Sequence, residues 1–242
     1  MTLEQAIQKY YQENDNNSVM DLDVFNDYTV VTGATGSGKT TMVEQEIIPK
    51  YDGIPLWILD VKRKFSNCGK VVHSLEELDK RFQYVYQPKD ISQEMFGKFC
   101  LKLQSQHDIH AVIDEIHLWL SKQSIFRPHY DLIMTKRNDG VTHTSISTNT
   151  KAIPNYLLSN VTHIYSLRYN IRADIDWLSD YIGTKAEFLL TPDLRNPIDT
   201  GIYSEELKRN FTFKDLPQLK DYGFVYRDKK KLDSAILRGF KI

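Results

Sequence analysis

Residues Gly33-Ala34-Thr35-Gly36-Ser37-Gly38-Lys39-Thr40 fit the pattern G-x-x-x-x-G-K-[ST], a loop whose chemistry is to hold phosphate. Its glycines let the backbone curl so that successive N–H groups face one anion, and the positive end of a following helix adds to the attraction. In that arrangement Lys39 reaches the β- and γ-phosphates, and the Thr40 hydroxyl ligates Mg²⁺. Gly33 to Thr40, with the adjoining Thr41, are therefore the expected nucleotide-binding residues. The second run able to do chemistry is His110-Ala111-Val112-Ile113-Asp114-Glu115, apolar residues ending in two adjacent acids. Asp114 would hold the Mg²⁺ water shell, and Glu115 would polarise the water that attacks the γ-phosphate. One acid suffices for a metal; the second is what hydrolysis needs. ATP and Mg²⁺ are the expected cofactors.

These residues need a sheet to present them. Tyr28 to Thr32 is β-branched and aromatic, as a buried strand should be, and Thr41 to Ile48 has helical apolar spacing at Met42, Val43 and Ile47. Ile54 to Asp60 reads as a strand ending in a carboxylate, followed by the basic turn Lys62-Arg63-Lys64. Asp60 then either points to the site end of the sheet or is a solvated strand end. Gln83 to Tyr86 is a further strand, closed by Pro88, and 91–106 an amphipathic helix. Residues 117–136 read as a helical region interrupted around Arg127-Pro128-His129, because proline cannot sit inside a regular helix. The turn Lys136 to Gly140 leads into the strand Val141 to Ser147, which ends at Thr148-Asn149. The strand His163 to Leu167 is followed by Arg168, and 171–182 by its spacing is a helix with Ile171, Ile175, Leu178 and Ile182 on one face.

The ends are less regular. Residues 3–14 carry apolar positions at helical spacing until Asn14-Asp15-Asn16-Asn17 stops the pattern. That helix either packs on the domain, the preferred reading, or reaches a neighbouring subunit. Beyond 185, Pro192, Pro197, Gly201 and Pro217 break the chain into short pieces, and Gly223 to Tyr226 with Ser234 to Leu237 reads as a terminal hairpin. With no internal repeat or low-complexity linker, residues 1–242 read as a single domain, its core at about 25–170 and an extension at about 185–242.

Composition narrows the partners. Of 242 residues, Lys and Arg number 31 against 32 Asp and Glu, a formal charge of −1. No global basic field exists, so contact with nucleic acid must come from a local patch. The two cysteines, Cys68 and Cys100, have no metal-like spacing, no apolar run reaches the length of a membrane span, and the N-terminus lacks a signal-peptide core. A reduced cytoplasmic setting is expected.

Strands alternating with helices, a phosphate loop on the first strand and Asp-Glu on a later one imply an α/β fold, a mostly parallel sheet flanked by helices. The combination resembles the additional-strand (ASCE) P-loop ATPases and, within them, the FtsK/HerA superfamily of DNA translocases, conjugation pumps and viral genome-packaging ATPases. Arg137-Asn138-Asp139-Gly140-Val141 resembles that family's lead-in to its sensor strand, and Thr148-Asn149 falls where the family has Thr-Gln or Ser-Gln. The resemblance thus implies Asn149 as the γ-phosphate sensor. Asn160-Val161-Thr162 with Arg168 resembles the family's Asn-x-x-Thr and the arginine closing the next strand. The family works as rings, usually hexamers, in which an arginine of one subunit enters the next subunit's site; Arg137, then Arg127, then Arg168 are the candidates. A chain with little beyond the core resembles the viral packaging branch. That branch implies sequence-independent binding of double-stranded DNA, a homo-oligomeric ring, a capsid or portal-vertex partner, and location in a host cytoplasm or virion.

Other readings compete. A filamentous-phage assembly ATPase of the Zot type shares the loop, the acids and a polar sensor, but normally continues into a membrane span. A nucleotide or nucleoside kinase fits the size, with Arg168 and Arg172 as lid arginines, yet must avoid the water activation that Glu115 suits. For a GTPase, Thr135-Lys136-Arg137-Asn138 nearly matches N/T-K-x-D, but the acid that pairs with guanine is an Asn. The basic turns Lys62-Arg63-Lys64 and Arg227 with Lys229-Lys230-Lys231 are the expected contacts to duplex phosphates.

Overall fold

Seven short runs of mostly β-branched and aromatic residues make the centre of the protein, seen here in a computed structural model that describes residues 1–14, 27–217, 224–228 and 233–237. The chain begins with α1 (Leu3–Asn14), then β1 (Thr29–Thr32), the phosphate loop and α2 (Lys39–Met42). Next come β2 (Leu56–Leu59), β3 (Lys70–Val72), β4 (Tyr84–Tyr86), α3 (Gln93–Gln104) and β5 (Ile109–Ile113). They are followed by α4 (Arg127–Thr135), β6 (Val141–Ser147), α5 (Asn155–Asn160), β7 (His163–Leu167) and α6 (Arg172–Ile182). The C-terminal part holds a small hairpin, β8 (Asp199–Ser204) with β9 (Arg209–Thr212), then β10 (Phe224–Asp228) and β11 (Asp233–Leu237).

Among the described residues the main sheet has nine strands in the order β11-β10-β7-β1-β6-β5-β2-β4-β3. The seven from β7 to β3 are parallel; β10 and β11 add an antiparallel hairpin beside β7. One strand, β6, lies between the phosphate-loop strand β1 and the acid strand β5, which is the additional-strand order. Successive residues face opposite sides of a strand, and the core divides accordingly. Val30, Trp57, Leu59, Ala111 and Ile113 pack on one face; Val31, Leu56, Ile58 and Val112 pack on the other. A sheet covered on both faces buries its strands whole; even β6, five of whose seven residues are polar, is buried throughout. Its hydroxyls are not stranded, since His110 bonds Thr142 at 2.9 Å and Thr144 at 3.0 Å.

Several sequence expectations change. The helix after the phosphate loop is irregular, widening into a π turn over Val43–Ile47 and tightening over Ile48–Tyr51, because Pro49 has no N–H to continue the ladder. Arg127 and Pro128 begin α4 instead of interrupting a longer helix; in a first turn the missing proline N–H is one that lacks a partner anyway. Ile171 is 60% exposed at the start of α6 and does not join the buried face of Ile175, Leu178 and Ile182. The edge strand β3 was not legible in its three residues. Helix α1 packs on the domain, as preferred: Ala6 and Tyr10 are buried, and Tyr10 stacks on Phe188 and meets Phe211 and Phe213 edge-on. The stop signal at 15–17 and Gly223 lie outside the described residues.

Candidate active site

Strand register alone brings the two chemical motifs together. Thr32, the last residue of β1, is level with Ser147 of β6 and Ser166 of β7. Ile113, the last of β5, is level with Ser145 and with Leu59 of β2. The phosphate loop, Asp114-Glu115, Thr148 and the turn after Asp60 therefore leave the sheet at one edge. They line a cavity of about 290 Å³ whose walls include Thr35, Gly36, Gly38 to Thr41, Lys62, Lys64, Asp114, Glu115 and Thr148.

The loop is shaped by its glycines. A Cβ at Gly33 would meet Ser37 Oγ at 2.7 Å and Leu167 Cβ at 3.0 Å, so the close approach of loop and strand requires glycine. Gly38 has φ 95°, which L side chains rarely adopt. The Ala34 N–H donates to the Arg168 carbonyl at 2.9 Å, anchoring the loop to the end of β7. The Lys39 ammonium donates to the Gly33 and Ala34 carbonyls at 2.9 and 2.8 Å. Burial lowers its pKa to about 8, against the pull of Glu115.

Asp114 is buried, and its Oδ2 has no hydrogen-bond partner. Burial, reinforced by Glu115 and Asp60, pushes its carboxyl up to about 7. A carboxylate short of positive charge, sharing a cavity with the Thr40 side chain, is a fitting donor set for Mg²⁺, a hard cation that takes oxygen ligands. Among the described residues no group of three or more His, Cys, Asp or Glu side chains could hold a metal. Mg²⁺ is commonly held by one or two carboxylates together with phosphates and waters. When bound there, the cation would neutralise charge on phosphate oxygens; Thr40 and Asp114 would hold it.

Glu115 sits in the left-handed region at φ 52°, ψ 47°, a conformation that persists only where surroundings impose it. Lys62 bonds its Oε1, the Thr148 hydroxyl donates to Oε2 at 3.0 Å, and His117 Nδ1 lies 3.3 Å from Oε2. Burial pushes its carboxyl up, but the Lys62 and Thr148 bonds outweigh this and hold it below the usual range. At neutral pH it is a carboxylate able to take a proton. Burial also lowers His117, leaving a neutral imidazole.

The other expected residues are placed differently. Thr148, not Asn149, faces the cavity and Glu115; the Asn149 carbonyl and N–H are engaged with Ser147 Oγ at 2.9 and 3.1 Å. Arg137 lies at the opposite end of β6, roughly 20 Å away along the strand. Its guanidinium donates to Thr162 Oγ1 at 2.9 Å and rests on the Tyr28 ring at 5.0 Å. Arg127 pairs with Asp131 on the exposed surface, and Arg168 follows β7 at the site end.

The basic turn after β2 serves the cavity on one side: Lys62 and Lys64 line it, while the turn as a whole, Arg63 included, is exposed. Asp60 stands at the site end of β2, as expected, but it neither lines the cavity nor meets solvent: it is buried and accepts the Lys64 and Phe65 N–H groups at 2.9 and 3.0 Å, fixing that turn. Arg227 is half-buried and bonds the Tyr181 carbonyl, while Lys229 to Lys231 lie outside the described residues. Sequence reasoning missed Lys62 and His117 as site residues. The available signal for Lys62 was its place just past a strand-end Asp at the site edge.

The geometry also weighs on the rival readings. Arg172, the lid arginine of the kinase reading, is bound to Glu187, Asp176 and the Leu194 carbonyl. Lys136 pairs with Asp139 at the far end of the sheet, so it cannot read a base bound at the phosphate loop.

No family model matches the sequence, and no curated protein matches it. Among solved structures, the chain is similar to the genome packaging NTPase B204 from Sulfolobus turreted icosahedral virus 2 in complex with ATP-gammaS. The TM-score is 0.69 at 17% identity, covering 91% of this chain and 100% of that one. With AMPPCP the same NTPase gives 0.68 at 18% identity, covering 90% and 100%. The pCW3 conjugation coupling protein TcpA in monomer form with ATPgS gives 0.50 at 17% identity, covering 90% of this chain and 62% of that one. At such identities the likeness is one of fold, and it agrees with strand order and loop: this chain has the additional-strand P-loop NTPase fold.

Proposed function

We propose that the protein hydrolyses ATP with Mg²⁺ and uses it to move double-stranded DNA, as a motor of the FtsK/HerA type most like the viral genome-packaging ATPases. The observation that carries the chemistry is Glu115, held as a carboxylate in the cavity that also holds Lys39, Thr40 and Asp114. A carboxylate placed there suits activation of water, which a kinase must avoid. The translocation part is supported by the fold likeness to a viral genome packaging NTPase and a conjugation coupling protein. A homo-oligomeric ring, a hexamer with a capsid or portal-vertex partner, working in a host cytoplasm or a virion, completes the proposal. Among the described residues no helix is long and apolar enough to cross a membrane.

A motor must pass every sequence, so its contacts should be to phosphate, with affinity falling steeply as salt rises. Duplexes of unrelated sequence are expected to bind alike and to stimulate ATP hydrolysis. With formal charge near zero, the run Lys229-Lys230-Lys231 is one candidate patch beside the exposed turn Lys62-Arg63-Lys64. Replacing all three with Ala should reduce the slope of log affinity against log salt by up to about three and leave basal hydrolysis intact. A protein that binds no duplex at low salt, and passes the γ-phosphate to a nucleoside or nucleotide, would be a kinase instead.

For the ring, an arginine acting across subunits neutralises charge on the transferring phosphoryl group. Arg137 is too far from its own cavity to act there, so mixing Arg137→Ala with Glu115→Gln subunits is expected to recover activity from two nearly inactive parents. A mixture as inactive as its parents would reduce Arg137 to its observed role as a brace on Thr162 and Tyr28.

A further inference from the structure

Glu115 has two carboxylate oxygens, and their partners differ in kind. Oε2 is met by Thr148 at 3.0 Å and His117 at 3.3 Å, polar groups just past the ends of β6 and β5. Oε1 carries the Lys62 ammonium. The Lys62 side chain is 43% exposed, whereas that of Glu115 is 3% exposed. The root of Lys62 is nevertheless fixed. Asp60 accepts N–H bonds from Lys64 and Phe65, and the Gln87 amide holds the same carboxylate at 3.0 Å. Lys62 is therefore a half-exposed cation on a rigid base, at the wall of the cavity it shares with Lys39 and Thr40.

An oxygen capped by an ammonium is poorly placed to take a proton from water. The cap must move for Oε1 to act, and the cavity is built for a stronger anion than a carboxylate. We propose that Lys62 distinguishes a nucleoside triphosphate from a diphosphate: it caps Glu115 Oε1 in the resting site and transfers to the γ-phosphate when the triphosphate binds, baring Oε1 for the attacking water. This rests on the hydrolysis reading above. The exchange swaps one charge-assisted bond for another, with no net proton movement, and the γ-phosphate is the one group that a diphosphate lacks. Thr148 and His117 keep Glu115 oriented after Lys62 leaves. Hydrolysis removes the γ-phosphate, and Lys62 returns to close the site. A static Lys62, serving only as a strut for Glu115, would affect turnover without reading the γ-phosphate.

The test is calorimetric titration of the full chain, with Mg²⁺ present, using ADP and a non-hydrolysable ATP analogue. Lys62→Met is expected to weaken the analogue by at least about tenfold and ADP by less than about twofold, the scale of one charged hydrogen bond to phosphate. Lys62→Arg should keep most of the preference. Glu115→Gln, which releases Lys62 from its carboxylate, should tighten the analogue and leave ADP unchanged. Equal changes for both nucleotides in Lys62→Met, or none, would overturn the proposal; if that variant does not fold, an unchanged analogue affinity in Glu115→Gln does so. Binding of neither nucleotide by the unaltered protein would instead remove the hydrolysis reading itself, a result distinct from lost discrimination.

Discussion

Replacing Glu115 with Gln is expected to slow ATP hydrolysis by at least about a hundredfold, the scale of a lost general base, while ATP still binds. Gln keeps the length and the acceptor that Thr148 addresses, so the left-handed turn at 115 should persist. What it loses is the proton-accepting oxygen that Lys62 caps. Lys39→Ala should instead lose the binding as well, because Lys39 is the cation inside the loop. Steady-state hydrolysis beside titration with a non-hydrolysable analogue separates the two variants. Near-normal turnover in Glu115→Gln would mean that another group activates the water, and the assignment of Asp114-Glu115 would fall with it.

The second large effect concerns stability, and it lies in a region where the sequence showed little pattern. Arg195 is 2% exposed, and its guanidinium donates to the carbonyls of Leu190, Phe213, Leu216 and Pro217 at 3.0, 3.0, 2.8 and 3.2 Å. Its face also lies over the Phe188 ring at 5.5 Å. Five N–H donors in a rigid fork can satisfy that set; no other side chain can. Arg195→Leu fills part of the space and strands the acceptors, each costing about 1–3 kcal/mol if it stays buried. Allowing for carbonyls that regain water, a net loss of about 3 kcal/mol is expected. In a domain of this size that lowers the Tm by roughly 6–12 °C. Arg195→Lys should fall between, since an ammonium keeps the charge but not the fork. Thermal melting reads the effect, and a shift of less than about 2 °C in Arg195→Leu would show that the carbonyl cluster is not a stabilising feature.

Some of this protein was decided by local sequence. The phosphate loop is legible because its glycines and Lys39 are dictated by backbone conformation and by a single anion, both local matters. Asp114 and Glu115 are legible because a buried strand must be apolar until it reaches the site edge, so acids there mark the edge. The alternation of strands with helices implied a parallel sheet for the same local reason. The partners of those residues were decided elsewhere. Lys62 meets Glu115 only because β2 and β5 are neighbours in register, which no spacing within either strand encodes. Thr148 replaces Asn149 at the cavity because the last turn of β6 chooses which of two polar neighbours points inward. Arg137 and Arg195 are indistinguishable from surface arginines in sequence; one braces a strand entry and the other fills a polar core. Burial of a charged side chain depends on which distant carbonyls and hydroxyls converge on it, and only the tertiary fold makes them converge.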